Sequence, residues 1–366
     1  MLAHVLKGVV KGTPDIQQRV EDVIVGCAMP EAEQGMNVAR IATLLAGFPD
    51  NVPAMTINRF CSSGSQAVAL AADKIRLGEA DVMIAAGTES MTKIPMMGNK
   101  VSLNPKVLSD DNIAIAYGMG ITAEKVAERW QVKREQQDEF AAESHTRALQ
   151  AQASGHFDKE ILPYEVNLTM QEGQNLYTYE TSYVVDKDEG PREGSSAEVL
   201  SNLRTVFKAN GSVTAGNSSQ MSDGAGAVLL VSEKILKEFN LEPMGRFVTS
   251  AVVGVEAKYM GIGPKEAIPM CLQRAGLSLN DIDWIELNEA FAAQALAVSN
   301  ELQLDLSKVN PSGGAIALGH PLGATGAIRT ATLMHGLQRT QGKYGMVSMC
   351  IGTGMGFAMI TENLAA

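Results

Sequence analysis

Short apolar runs alternate with helix-period stretches along most of this chain. DVMIAAG (81–87) and GMVSMCIG (345–352) are apolar with little alternation, the pattern of strands covered on both faces. MNVARIATLLAG (36–47), TAEKVAERWQ (122–131) and REQQDEFAAESHTRALQAQASG (134–155) instead repeat apolar positions at three- and four-residue intervals, and predict helices. NGSVTAGNSSQMSDGAGAVLLVSEKIL (210–236) reads as a small-residue turn followed by a buried strand.

The order of these elements occurs twice. VEDVIVGCAMP (20–30), the helix at 36–47, VPAMTINRFCSSGSQAVALAADKI (52–75) and EADVMIAAGTESM (79–91) form one series. DIDWIELNEAF (281–291), a helix through AAQALAVSNEL, SKVNPSGGAIALGHPLGATGAIRTATLM (307–334) and KYGMVSMCIGTGMG (343–356) form the other. Each gives strand, helix, strand, Gly/Ser turn, helix, strand. The expected fold is α/β: two doubly wound halves of common origin packed in layers. The intervening 92–210 is too long for a plain loop and is read as an inserted subdomain. The expected division is 1–91 plus 211–240 for the first half, 92–210 for the insertion and 241–366 for the second half.

Composition narrows the class. With 366 residues, 45% of them apolar and 35 glycines, the chain has material for a large core, which excludes a disordered protein. A net charge of −11 argues against a general nucleic-acid binder. No apolar run is long enough to span a bilayer, the opening MLAHVLKGVVKGTPD lacks a signal-peptide core, and the ending ENLAA lacks a targeting tripeptide. Four scattered cysteines make neither a disulfide framework nor a metal-spaced set, and fit a reducing, cytoplasmic setting with no metal.

Cys61 sits where a strand meets a turn of small residues before a helix. Helix N–H groups and the helix dipole there favour a thiolate, so the site reads as a nucleophile elbow; a buried, inert thiol is the alternative. His320 lies in a Gly-rich turn and takes, in the sequence repeat, the slot of Cys61. The two turns could face one pocket. Cys350 ends a buried strand and opens into GTGMG, which is not GxGxxG and is followed by FAMI, a strand pattern, so no nicotinamide site is expected. Asn288 and Glu289 lie where a strand becomes a helix, as a cap or, for Asn288, as the holder of a water near His320. Cys27, Cys271, His4, His145, His156 and His335 have no such context and read as structural or surface residues.

These residues carry a resemblance. NRFCSSGSQAVA, NPSGGAIALGHPLGATGA, CIGTGMG, NEAFAAQ and TAGNSSQMSDGAGAVLL look like the signatures of the thiolases, in order and over nearly the whole chain. The resemblance implies the thiolase fold, α/β/α/β/α, and thiolytic cleavage of 3-ketoacyl-CoA through an acyl intermediate on Cys61. It implies that Cys350 moves protons and that His320 activates Cys61. His320 and a water on Asn288 would form one oxyanion site, and the N–H groups of Cys61 and Gly352 the other. It implies coenzyme A as substrate, with contacts from Met119, Phe207, Ala215, Ser219, Ala290 and Phe291, no permanent cofactor, and a homodimer or homotetramer. NPSGG and MGIGPKEAIP are more similar to degradative 3-ketoacyl-CoA thiolases than to acetoacetyl-CoA ones. Acetyl-CoA C-acetyltransfer and a non-catalytic CoA or lipid binder are the alternatives. The chain departs from the family pattern in two places. It starts inside what resembles the first helix, without the strand that usually precedes it, and Gln220 and Met221 replace the usual Gly and branched residue after Ser219.

Overall fold

A computed structural model describes residues 1–171 and 178–364. In the first part of the chain run α1 (Leu2–Val9), β1 (Asp22–Gly26), α2 (Val38–Leu45), β2 (Ala54–Ile57), α3 (Ser63–Arg76) and β3 (Val82–Ser90). Helices α4 (Met119–Arg129) and α5 (Arg134–Ala153), a hairpin of β4 (Tyr164–Gln171) and β5 (Thr178–Val185), and the short α6 (Ala197–Ser201) follow. The core resumes with β6 (Asp223–Val231), α7 (Glu233–Phe239), β7 (Gly245–Gly254), α8 (Gly263–Ala275), β8 (Trp284–Leu287) and α9 (Ala292–Leu302). It closes with α10 (Ala315–Leu318), α11 (Leu322–Thr340), β9 (Tyr344–Ile351) and β10 (Met355–Asn363).

Two four-stranded sheets form, ordered β2-β1-β3-β6 and β7-β10-β9-β8. β1 runs parallel to β2 and β3, and β3 antiparallel to β6; likewise β8 runs parallel to β9, and β9 antiparallel to β10. The side chains alternate as a pleated strand requires. Val23 and Val25 of β1, with Val82, Ile84 and Ala86 of β3, face an outer cluster holding α1 and α2 and Ile235 of α7. Ile24, Met83 and Ala85 face the other way, onto α3 and α11, which also cover Val347, Met349, Phe357 and Met359 of the second sheet. Ile285, Met346, Ala358 and Ile360 face α8 and α9 on the far side. The layers are therefore α/β/α/β/α, as expected, with α3 and α11 in the middle.

Those central helices meet backbone to backbone. A Cβ at Gly64 would lie 2.5 Å from Ala327 N, and one at Gly326 2.1 Å from Ser65 N. Only glycine permits that approach, and it brings the N-terminal ends of both helices together between the sheets.

Two expectations change. The strand expected to be buried at 226–233 is β6, half-buried along its length. Its second-sheet counterpart β10 is flanked by β7 and β9, whereas among the described residues no strand pairs with the outer edge of β6; α1 packs against it. Within the insertion, for which only helices were predicted, the polar stretch 172–196 contributes a strand to the β4–β5 hairpin; its first part, 172–177, lies outside the described residues. Helices α4 and α5 dock on α9.

Candidate active site

The nucleophile turn comes first. Asn58 Oδ1 accepts from the N–H of Phe60 at 2.8 Å, and Ser63 Oγ accepts from the N–H of Arg59 at 2.8 Å. This side-chain scaffold holds Phe60 at φ +44°, a costly conformation for an aromatic residue. The result is a sharp elbow: Cys61 lies in a 3-10 turn (Phe60–Ser62) that runs directly into α3. The N–H groups of Gly352 and of Cys61 itself face the sulfur and favour its thiolate. Burial nonetheless dominates and pushes the Cys61 thiol up to about 11, with the charge of Glu89 adding to the rise. The sequence argument had the helix terminus lowering it. The N–H groups do act in that direction, but removing the thiolate from water outweighs them.

Cys350 ends β9. The turn after it, Gly352-Thr353-Gly354, reverses the chain into β10, with Thr353 at φ +66° and Gly354 at φ +94°. A Cβ at Gly354 would lie 2.4 Å from Val255 O, so the turn is wedged against the end of β7. FAMI is strand, as expected, and the Gly-rich run is a tight hairpin. Cys350 is fully buried beside Ala290, Phe291, Met260 and Ala123, with Met119 alongside. Burial raises its thiol strongly, and negative charge on Cys61 raises it further.

His320 is 4% exposed, just ahead of α11. Its Nε2 lies 3.3 Å from Asn288 Nδ2 and its Nδ1 2.7 Å from Thr325 Oγ1. With the Asn288 amide so oriented, Nε2 accepts and Nδ1–H donates to Thr325. Burial first, and the charge of Arg329 second, lower the imidazole to about 3, so it is neutral across ordinary pH. Asn288 Oδ1 is buried with no hydrogen-bond partner, an acceptor a ligand can use. Glu289 is not a helix cap. Its carboxylate, 2% exposed, accepts from Ser144 Oγ (2.7 Å), Asn310 Nδ2 (2.8 Å) and the N–H of Ile316 (3.2 Å), tying β8 to α5 and α10. Helix α9 is capped instead by Gln294 on the N–H of Phe291.

The residues expected to touch coenzyme A gather on the side of Ala290 and Phe291. Ser218 bridges to Phe291 as an antiparallel pair, and the N–H of Ser219 donates to Ala290 O at 3.0 Å. Ala215 is exposed three positions before Ser218, within the 3-10 segment Ala215–Asn217. Phe207 is exposed and meets the Phe291 ring edge-on at 6.1 Å. Met119 Sδ would lie 3.7 Å from a Cβ at Gly352. Gln220 donates to Ala317 O at 2.8 Å, fixing the segment to α10, while Met221 points outward, 82% exposed.

The sequence reading missed the polar groups that hold these parts. Glu124 accepts from the N–H groups of Ser212 and Val213, and Asp138 accepts from Asn217 Nδ2, so both anchor the 212–217 segment. Each sits on a helix among other acids and looks like a solvent-facing charge. Glu89 gave a better signal, being an acid at the end of a wholly apolar run. The expected structural residues do pack: Cys27 and Cys271 are buried, and His145 Nδ1 accepts from the N–H of Arg192 at 3.1 Å.

The fold and this arrangement define an enzyme-type centre: a strained elbow thiol with the Cys61 and Gly352 N–H groups at its sulfur, a second buried thiol and a neutral imidazole, all suited to thioester chemistry. The comparisons place it. Residues 1–234 match the family model "Thiolase, N-terminal domain" and 241–363 match "Thiolase, C-terminal domain". The chain is 49% identical over 357 residues to a protein of Bacillus subtilis named 3-ketoacyl-CoA thiolase, covering 98% of this chain and 91% of that one. The crystal structure of human mitochondrial 3-ketoacyl-CoA thiolase superposes with a TM-score of 0.88 at 38% identity, covering 99% of this chain and 92% of that one. That of the Bacillus anthracis acetyl-CoA acetyltransferase does so with a TM-score of 0.86 at 42% identity, with the same coverage. This chain belongs to the thiolase family.

Among the described residues no helix is long and apolar enough to cross a membrane.

Proposed function

We propose that this chain is an acetyl-CoA C-acyltransferase that cleaves 3-ketoacyl-CoA with coenzyme A, giving acetyl-CoA and an acyl-CoA shortened by two carbons. The observation that supports it most is the coupling of Cys61 to the Gly352 N–H and to Cys350, at a turn packed on α11, the helix that His320 of the His320–Asn288 pair precedes.

In this reading His320, neutral at rest, takes the proton of Cys61. Thiolate and imidazolium form together and stabilise each other, which offsets the burial that disfavours either alone. The thiolate attacks the C3 ketone, and the C2–C3 bond breaks with its electron pair moving onto the thioester as an enolate. The free Oδ1 of Asn288 holds a water that, with His320, donates to that enolate oxygen. Cys350 gives its proton to C2, releasing acetyl-CoA. Coenzyme A then loses its thiol proton to Cys350 and attacks the acyl-Cys61 thioester. The N–H groups of Cys61 and Gly352 stabilise the tetrahedral oxyanion, and Cys61 leaves with its electron pair.

Met119, Phe207, Ala215, Ser219, Ala290 and Phe291 line the pantetheine and acyl path in this reading. Residues 92–210 form an insertion that carries part of that path between the halves 1–91 plus 211–240 and 241–366. Coenzyme A is a substrate and no permanent cofactor is required. The active unit is a homodimer in the cytoplasm, to be read from mass in solution and from fractionation.

Cys61→Ala should lower thiolysis by about 10⁴-fold or more and abolish the acyl adduct seen by mass spectrometry; a normal turnover rate would refute the covalent path. The second reading is acetyl-CoA C-acetyltransfer, favoured by the 42% identity to the Bacillus anthracis structure. Thiolysis rates for 3-ketoacyl-CoAs from C4 to C16 separate the two: activity confined to C4 selects the second.

A further inference from the structure

The pair β1–β3 with α3 matches β8–β9 with α11 at one offset along the chain, whereas β2 matches the bridge at Val309 at another. Asp22 pairs with Met83 as Trp284 pairs with Gly345, and the N–H of Glu21 donates to Val82 O as that of Asp283 donates to Tyr344 O. Gly64 abuts Ala327 as Gly326 abuts Ser65, so the same offset relates α3 to α11. It carries Cys61 to Gly323 and places Asn58, not Cys61, opposite His320. The slot shared by Cys61 and His320 in the sequence repeat is thus three residues off. It also carries Gly352 back to Ser90.

The N–H pair of Cys61 and Gly352 therefore has a counterpart in the N–H groups of Gly323 and Ser90. That counterpart is filled from within the chain. Glu89 Oε2 accepts from the Gly323 N–H at 2.9 Å and from the Ala28 N–H at 2.7 Å. Gln34 Oε1 accepts from the Ser90 N–H at 2.9 Å, and Gln34 Nε2 donates to Glu89 Oε1. The Met29 N–H donates to Oε1 at 3.2 Å, and the Cys27 thiol approaches the same oxygen at 3.8 Å. Glu89 is 1% exposed and Gln34 5%. Among the described residues no cation pairs with Glu89. Its charge is held by neutral donors and by the N-terminus of the 19-residue α11.

We propose that Glu89 is a positioning residue for His320. With Gln34 it plugs the first-half counterpart of the oxyanion site, and the plug clamps the first turn of α11, three residues after His320, to the loop that follows β1. The carboxylate stands where a reacting oxyanion would stand in the other half. The clamp sets the imidazole relative to the Cys61 elbow, because His320 enters α11 through Pro321 and Leu322 and its Nδ1 is hydrogen-bonded to Thr325 of the same helix. Ser222 also holds its backbone, its Oγ accepting from the His320 N–H at 3.2 Å.

Glu89→Gln keeps the size but turns an NH₂ toward donors that need an acceptor. The catalytic readout rests on the thiolase reading; amide hydrogen exchange across 320–324 does not. The expected result is a kcat of thiolysis lowered by on the order of 10-fold or more, a KM for the 3-ketoacyl-CoA within about two-fold, and faster exchange at Gly323. The exchanged pair Glu89→Gln with Gln34→Glu restores one carboxylate and one amide and should recover much of the rate. Wild-type kcat with wild-type exchange in E89Q overturns the proposal, and so does an exchanged pair no better than E89Q. Should E89Q not fold, Gln34→Leu opens the plug from its other side: a several-fold loss in kcat at constant KM supports the clamp, and an unchanged kcat overturns it. If wild-type protein shows no thiolysis at all, the functional reading has failed, and the exchange measurement still decides the clamp.

Discussion

Carried across the offset that relates β1, β3 and α3 to β8, β9 and α11, Asn288, His320 and Cys350 of the second half fall on Gly26, Asn58 and Thr88 of the first, while Cys61 of the first falls on Gly323 of the second. A duplicated frame offers two equivalent places for chemistry, each needing three groups from one half and a nucleophile from the other. One place has all four. At its mirror the nucleophile position has no side chain, the thiol position is a threonine, and the N–H pair is stopped by Glu89 and Gln34. The frame alone makes no enzyme. It supplies elbows and helix ends in pairs, and the side chains decide which pair is open to a ligand.

The largest effect that could break this asymmetry comes from Cys350. Without it nothing on the open side can protonate the leaving enolate or take the proton of coenzyme A. Cys350→Ala should lower kcat by about 10³-fold, within the usual span for a general acid–base group, yet still permit one acyl transfer onto Cys61 from an acyl-CoA. A variant within ten-fold of wild type in steady-state thiolysis would leave the two sides chemically alike.

Asn288→Ala comes next. Its mirror, Gly26, has no side chain, so the substitution makes the sides equal at this position. Losing the amide that faces His320 Nε2 should cost about 10²-fold in kcat, with KM little changed. A KM effect alone would show that Asn288 binds substrate without acting in the transition state.

Gly323→Ala tests the closed side through stability. A Cβ there would lie 2.7 Å from Cys27 Cα, 2.8 Å from Ala28 N and 2.9 Å from Glu89 Oε2. Two of these are backbone atoms that cannot swing away, so overpacking should cost about 2–3 kcal/mol in denaturant unfolding. An unchanged midpoint would show that the mirror site is loose and not plugged.

Much of this was legible in the sequence, and the parts that were not share a cause. The layers could be read because their strands are apolar on both faces and their turns are marked by small residues. Cys61, His320 and Cys350 stood out because reactive side chains sat at strand ends in Gly-rich turns. Acidity was misjudged at Cys61, since sequence shows the helix terminus but not how deeply the sulfur is buried. Glu89, Glu124 and Asp138 were passed over, and Glu289 was read as a cap, because their partners are backbone N–H groups and polar side chains from distant segments, which leave no local pattern. The equivalence of Cys61 and His320 failed because aligning motifs ignores the register that the sheet pairing imposes.

The smallest expected effect concerns a buried charge that only one sheet carries. Ile24 of β1 and Glu286 of β8 occupy the same place, both facing the central helices. Glu286 lies 3.6 Å from Arg329 and accepts from Trp284 Nε1 at 2.6 Å. Burial outweighs both and holds its carboxyl up at about 7, while Arg329 and Trp284 pull it down and Glu289 pushes it up. Between the ordinary value of 4.5 and about 7 the folded protein binds more protons at this group than the unfolded chain does. Stability contributed here is therefore present below the lower value and lost as pH rises through the upper one. Glu286→Gln removes the titration, so its stability relative to wild type should improve by about 1–3 kcal/mol between pH 5 and pH 8. Unfolding curves of both proteins at the two pH values measure this directly. A difference that stays constant would mean that Glu286 titrates alike in the folded and unfolded chains, and that burial in the second sheet does not hold its carboxyl up.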